Sequence, residues 1–196
     1  MKCTFSVLTQ DSPGVLMRIA SLFYKRNYNI VSLSVSQTNN IGISRFTIVV
    51  EADERGHEQV EKQLAKLVEV IAVENLSNGK FVERWLSLIK VKANIENRPH
   101  ILQIADVFRC RVVDMGSDAL TIEVTGDEGK MKACTEALRE YGILELAGSG
   151  SVAMSRAGFS NGGEYRRDGN FRKLDMKFDT RYLMAGNSEA VTKSAV

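Results

Sequence analysis

Cys3, Phe5 and Val7 alternate with Thr4 and Ser6, a two-residue period that predicts a strand over residues 2 to 9 with one buried face. Behind it Ser12 offers a helix cap, and Pro13 suits a first helical position, where the backbone N–H needs no intrahelical partner. Val15, Leu16, Ile19, Ala20 and Phe23 then recur at three- and four-residue spacing, the pattern of an amphipathic helix packed on a sheet. The period returns to two at Val31, Leu33 and Val35, with Ser32, Ser34 and Ser36 on the solvent side. After the Thr38-Asn39-Asn40 turn, Phe46, Ile48 and Val50 alternate again, so the pair reads as a hairpin. Val60, Leu64, Leu67 and Val68 mark a second helix, and residues 70 to 76 a fourth strand. The order is β-α-β-β-α-β. Helices that must both cover one face of an antiparallel sheet make this a ferredoxin-like α+β unit.

The second half repeats the plan without repeating the sequence. Residues 85 to 93 form an apolar-rich strand; Pro99 opens a helix carrying Ile101, Leu102, Ala105 and Phe108; residues 112 to 115 form a strand. Leu120, Ile122 and Val124 alternate with polar neighbours, Asp127 can cap a helix bearing Met131, Cys134, Leu138 and Tyr141, and residues 143 to 147 close the set. The expected organisation is two ferredoxin-like units in tandem, over 1–77 and 85–156, joined by a linker at 78–84 around the polar Ser77-Asn78-Gly79-Lys80. Beyond it the pattern dissolves among glycines and basic pairs, and 157–196 reads as a flexible tail. Phe171, Leu174, Phe178, Tyr182 and Leu183 leave open that it orders on a partner.

Composition adds exclusions. With 44% hydrophobic and 26% charged residues the chain has ordinary globular usage. Its 26 basic against 24 acidic residues are too balanced for the field that nucleic acid or an anionic membrane requires. Cys3, Cys110 and Cys134 are odd in number, scattered and without a CxxC pair, which argues against a disulfide framework or zinc site and fits a reducing cytoplasm. The N-terminus alternates instead of presenting a secretory signal, and no apolar run approaches the roughly 18 residues of a membrane span. His57 and His100 lie on polar ground near helix starts, and no GxSxG, P-loop, dinucleotide fingerprint, HExxH or EF-hand spacing occurs. We therefore expect neither catalytic nor metal-ligating residues. An RNA-recognition domain of the same order would need stacking aromatics where strand two carries serines. An acylphosphatase-like enzyme would need an arginine between Gln10 and Gly14.

Candidate chemistry gathers where strand one meets helix one. Gly14 has no side chain and would let a ligand reach the N–H groups of a helix N-terminus, which attract a carboxylate. Asn29, just ahead of strand two, brings a donor and an acceptor, while Val15, Leu16 and Ile30 could line a small apolar cup. Together they suit a free apolar amino acid. Read alone, the same residues also describe a capped helix and an ordinary turn asparagine.

Longer stretches carry a resemblance: Asp11-Ser12-Pro13-Gly14-Val15-Leu16, Tyr28-Asn29-Ile30-Val31-Ser32-Leu33, Ser44-Arg45-Phe46-Thr47-Ile48 and Glu61-Lys62-Gln63-Leu64, with Val82-Glu83-Arg84, Ile104-Ala105-Asp106-Val107-Phe108-Arg109 and Gly150-Ser151-Val152-Ala153-Met154-Ser155-Arg156 in the second half. These resemble the regulatory small subunits of acetolactate synthase over roughly residues 3 to 156. The resemblance implies an N-terminal ACT domain that forms a homodimer and binds valine or a related branched-chain amino acid at the interface, as feedback inhibitor of branched-chain amino acid biosynthesis. It also implies that the chain, without a cofactor of its own, activates a catalytic large subunit holding thiamine diphosphate, Mg2+ and FAD. Gly14 and Asn29 match the family's effector-contacting positions, with Val15, Leu16 and Ile30 beside them. Asp11 departs from the family's usual asparagine, and a carboxylate there would favour a ligand's ammonium while repelling its carboxylate. A free-standing ACT sensor of another enzyme is the alternative, and would lack the second-half motifs.

Overall fold

The computed structural model describes residues 1–157, 164–167 and 170–173. In the first unit β1 (Lys2–Gln10) leads to α1 (Val15–Lys25), β2 (Asn29–Gln37) and β3 (Ile43–Glu51), then α2 (Glu54–Leu64) and β4 (Val70–Asn75). The sheet order is β2-β3-β1-β4, antiparallel throughout, so β2 and β4 are the edges. Val15, Ile19 and Phe23 repeat every four residues and are buried against Phe5, Val7, Phe46 and Ile48, each contributing about 1.5–3 kcal/mol by leaving water. α2 stops at Leu64, short of the expected Leu67 and Val68. Leu67 packs on the core from the turn after the helix, and Val68 is exposed.

A single 3-10 turn, Leu76–Asn78, connects to the second unit: β5 (Phe81–Lys92), α3 (Arg98–Val107), β6 (Arg111–Met115), β7 (Ala119–Gly126), α4 (Glu128–Arg139) and β8 (Ile143–Ser155). Its order, β6-β7-β5-β8, is that of the first sheet. The expected linker at 78–84 is partly strand, because β5 starts at Phe81 and pairs there with Ser155. Of the stretch read as a flexible tail, β9 (Glu164–Arg167) and β10 (Asn170–Lys173) form an antiparallel pair with β9 near β4. The tail's Leu174, Phe178, Tyr182 and Leu183 lie outside the described residues.

The two units meet through β8, which extends well past the expected end at residue 147 and crosses the face of the first sheet that carries no helices. Thr4, Ser6, Ser32, Thr47 and Val49 on that face are buried. Ser32, expected to face solvent, accepts the Ser151 N–H through its Oγ at 2.8 Å, and the Ser34 hydroxyl donates to the Ser151 carbonyl at 2.5 Å. Two side chains of β2 thus bond to the backbone of β8, an edge strand of its own sheet.

Candidate functional site

α1 begins on a bare terminus. Gly14 is its N-cap residue, with φ +88°, a left-handed conformation that costs glycine nothing, and nothing lies within 4 Å of where a Cβ would stand. Ser12 does not cap the helix; only its carbonyl takes part, accepting the Val15 N–H at 3.5 Å. Pro13 likewise stands ahead of the helix, because the left-handed Gly14 delays the first helical residue to Val15. No acidic side chain occupies the first turn. The first N–H groups of a helix lack intrahelical acceptors and carry the positive end of the peptide dipoles. This terminus is therefore open to a carboxylate.

Asp11 anchors the turn that leads there. Its N–H donates to the Gly42 carbonyl at 2.8 Å, and its Oδ2 accepts from Gln37 Nε2 at 2.9 Å. Gln37, the last residue of β2 and not singled out in the sequence, thus engages one oxygen of that carboxylate. It also fixes the β1–α1 turn against the C-terminal end of β2.

The apolar residues separate. Val15 is only 5% exposed and belongs to the core. Leu16 is 49% exposed. Arg18 forms an ion pair with Glu69 on the β4 flank of α1, and helical spacing puts Leu16 and Ala20 on the opposite flank, toward β2. Ile30 is half-buried against the core from the start of β2.

Asn29 is exposed, but not beside Gly14. It pairs with Glu51, which pairs with Lys2, whereas Gly14 follows Gln10 at the other end of β1. Eight residues of strand at roughly 3.3 Å each hold the two ends about 26 Å apart. The single cup expected from Gly14, Asn29 and Ile30 is therefore not formed within one chain. A strand-helix-strand crossing returns the backbone to the end from which it started, which sequence spacing alone does not reveal.

Elsewhere among the described residues catalytic groups do not converge. His57 Nε2 lies 3.3 Å from the Met1 carbonyl oxygen, and His100 is exposed. Among the described residues no cluster of His, Cys, Asp or Glu could hold a metal, and no helix is long and apolar enough to cross a membrane.

Comparison with known proteins gives this arrangement its context. Residues 84–157 match the family model described as small subunit of acetolactate synthase, and residues 5–72 that of the AHAS small subunit-like ACT domain. Over 156 residues the chain is 49% identical to a protein of Archaeoglobus fulgidus named as a probable acetolactate synthase small subunit, covering 80% of this chain and 98% of that one. The chain belongs to the acetolactate synthase small-subunit family. It is 45% identical over 153 residues to the Mycolicibacterium smegmatis small subunit, covering 78% of this chain and 90% of that one. The crystal structure of the Thermotoga maritima small subunit superposes with a TM-score of 0.74 at 36% identity, covering 80% of this chain and 98% of that chain. Membership makes this a non-catalytic regulatory subunit whose counterpart is a catalytic large subunit. The match over 84–157 separates it from a free-standing ACT sensor.

Proposed function

We propose that this small subunit activates its catalytic large subunit and confers feedback inhibition by valine or a related branched-chain amino acid, bound between the ACT domains of two copies. The observation that carries the reading is the placement of Gly14 and Asn29 at opposite ends of one sheet. β2 is an edge strand with unpaired backbone groups, flanked by the exposed Leu16, Val31 and Val35. Two-fold pairing of this edge with a second copy runs the β2 strands antiparallel and buries those side chains. The start of one β2 then lies against the end of the other, where Gln37 holds the turn leading to Gly14.

In that arrangement the bare N-terminus of α1 receives the effector's carboxylate, and Asn29 of the second copy supplies a polar contact. The aliphatic side chain rests against Leu16, with Ile30 of the second copy nearby. The unengaged oxygen of Asp11 faces the effector's ammonium. Effector binding favours one relative orientation of the two domains and so changes how the pair meets the catalytic chain, to the extent that its affinities for the two orientations differ. The large subunit would carry thiamine diphosphate, Mg2+ and FAD, and this chain none of them.

The test is reconstitution. Acetolactate formation by the large subunit should rise on adding this chain and fall again with valine, and an unchanged rate on mixing would overturn the regulatory reading. Asn29→Ala should weaken inhibition several-fold while leaving activation intact. Unaltered inhibition removes Asn29 from the site.

A further inference from the structure

Cys110 and Cys134 are 24 residues apart in the chain, yet their sulfurs stand 3.9 Å from each other. Cys134 sits on the buried face of α4. Cys110 is partly exposed and follows the end of α3, where Arg109 takes a left-handed φ of 51° and the chain turns into β6. We propose that this pair is a thiol oxidation site, converted by a small disulfide such as glutathione disulfide into an intramolecular Cys110–Cys134 bond.

The geometry asks little of the fold. A disulfide needs its sulfurs about 2.05 Å apart, so the pair must close by about 1.9 Å, and Cys110 stands in a turn where side-chain rotation and small backbone shifts are available. Neither sulfur is committed to a metal, since no cluster of ligating side chains surrounds them among the described residues.

Access and ionisation set the order of events. Burial first, and the neighbouring Cys110 second, push the Cys134 thiol up to about 12, so at neutral pH it stays protonated and enclosed. Cys110 is the thiol a solute can meet. Its thiolate attacks one sulfur of glutathione disulfide, the S–S bond breaks, and glutathione thiolate leaves and takes a proton. Cys134 then gives its proton to solvent and attacks the Cys110 sulfur. The Cys110–glutathione bond breaks, and a second glutathione leaves as the thiol. Two cysteine thiols have lost two electrons and two protons, and one glutathione disulfide has become two glutathiones. The new bond ties the end of α3 to α4 and closes the loop holding β6 and β7, which restricts the unfolded chain and raises the melting temperature of this unit.

Cys3 provides the internal control. It is buried in the first unit, burial raises its pKa, and its Sγ donates to Asn75 Oδ1 at 3.0 Å. The full chain is incubated with glutathione disulfide without denaturant, then unfolded, alkylated, weighed intact and digested. The expected result is loss of two of the three alkylatable thiols, a peptide linking Cys110 to Cys134, and no retained glutathione. The conversion should quicken as pH rises, because each sulfur attacks as its thiolate. Cys134→Ser should stop at one glutathione on Cys110, and Cys110→Ser should take up none. Three free thiols, glutathione remaining on Cys110 of the unaltered chain, or a linkage through Cys3 would each overturn the proposal.

Discussion

Gly14 combines two demands that only glycine meets together. Its φ of +88° strains any residue with a Cβ, and the open space beside it leaves the α1 terminus accessible. Gly14→Ala should cost about 1–2 kcal/mol in urea unfolding from the backbone conformation alone. It should also weaken valine binding measured by calorimetry, since the added methyl fills the approach. A stability loss with unchanged binding would confine Gly14 to a backbone role. Gly14, Asn29 and Leu16 were legible as candidates because their chemistry is local: a missing side chain, a two-sided amide, an apolar residue next to a turn. Val15 sits in the core, which the apolar run alone did not separate from Leu16, because both fall within one turn of the helix. Gln37 escaped notice because its partner Asp11 is far off in the chain, and only the hydrogen bond between them gives it meaning.

Among the helices, α2 and α4 are closed by aspartates while α1 is not. Asp53 Oδ1 accepts the Gly56 N–H at 2.8 Å, and Asp127 Oδ1 accepts the Lys130 N–H at 2.8 Å. Asp127→Ala should cost about 1 kcal/mol in thermal or urea unfolding, as loss of a helix cap does, and leave effector response unaltered. The cap at Asp127 was readable from the residue and the apolar pattern behind it. β8 was not. Its first residues read as a strand, but from Gly148 onward burial does not follow hydrophobicity: Ser151 and Ala153 are buried while Val152 and Met154 are more than half exposed. Small residues face inward there because another sheet lies directly on them, leaving no room for larger ones. The same contact buries Ser32, which any reading of a lone sheet assigns to solvent.

At the level of the whole molecule the two units are held by β8 and by a tie across their rim. A Cβ on Gly150, at φ +76°, would stand 2.7 Å from Ser32 Oγ and 3.4 Å from the Leu33 carbonyl oxygen. Gly150→Ala should therefore both strain the backbone and lift β8 from β2, and calorimetry should resolve separate melting of the two units where a single transition is expected of the unaltered chain. Lys2 of β1 reaches Glu128 at the start of α4, and that contact first, with Lys132 second, holds the Glu128 carboxyl below its ordinary value of 4.5. A carboxylate lowered on folding adds stability above its unfolded value and loses it as pH falls through the folded one, so this tie is present at neutral pH and fades below 4.5. The two side chains are 38% and 34% exposed, so solvent screens the pair in part, and Glu128→Gln should change neutral-pH stability by less than about 1 kcal/mol while flattening its acid dependence. The separation of Gly14 from Asn29 along β1 has one more consequence under the proposed arrangement. A solitary chain owns two half-sites and no whole one, whereas a pair owns two whole ones. Each bound amino acid then works as adhesive between protomers, so dilution should blunt sensitivity to valine, and valine should in turn lower the concentration at which protomers associate.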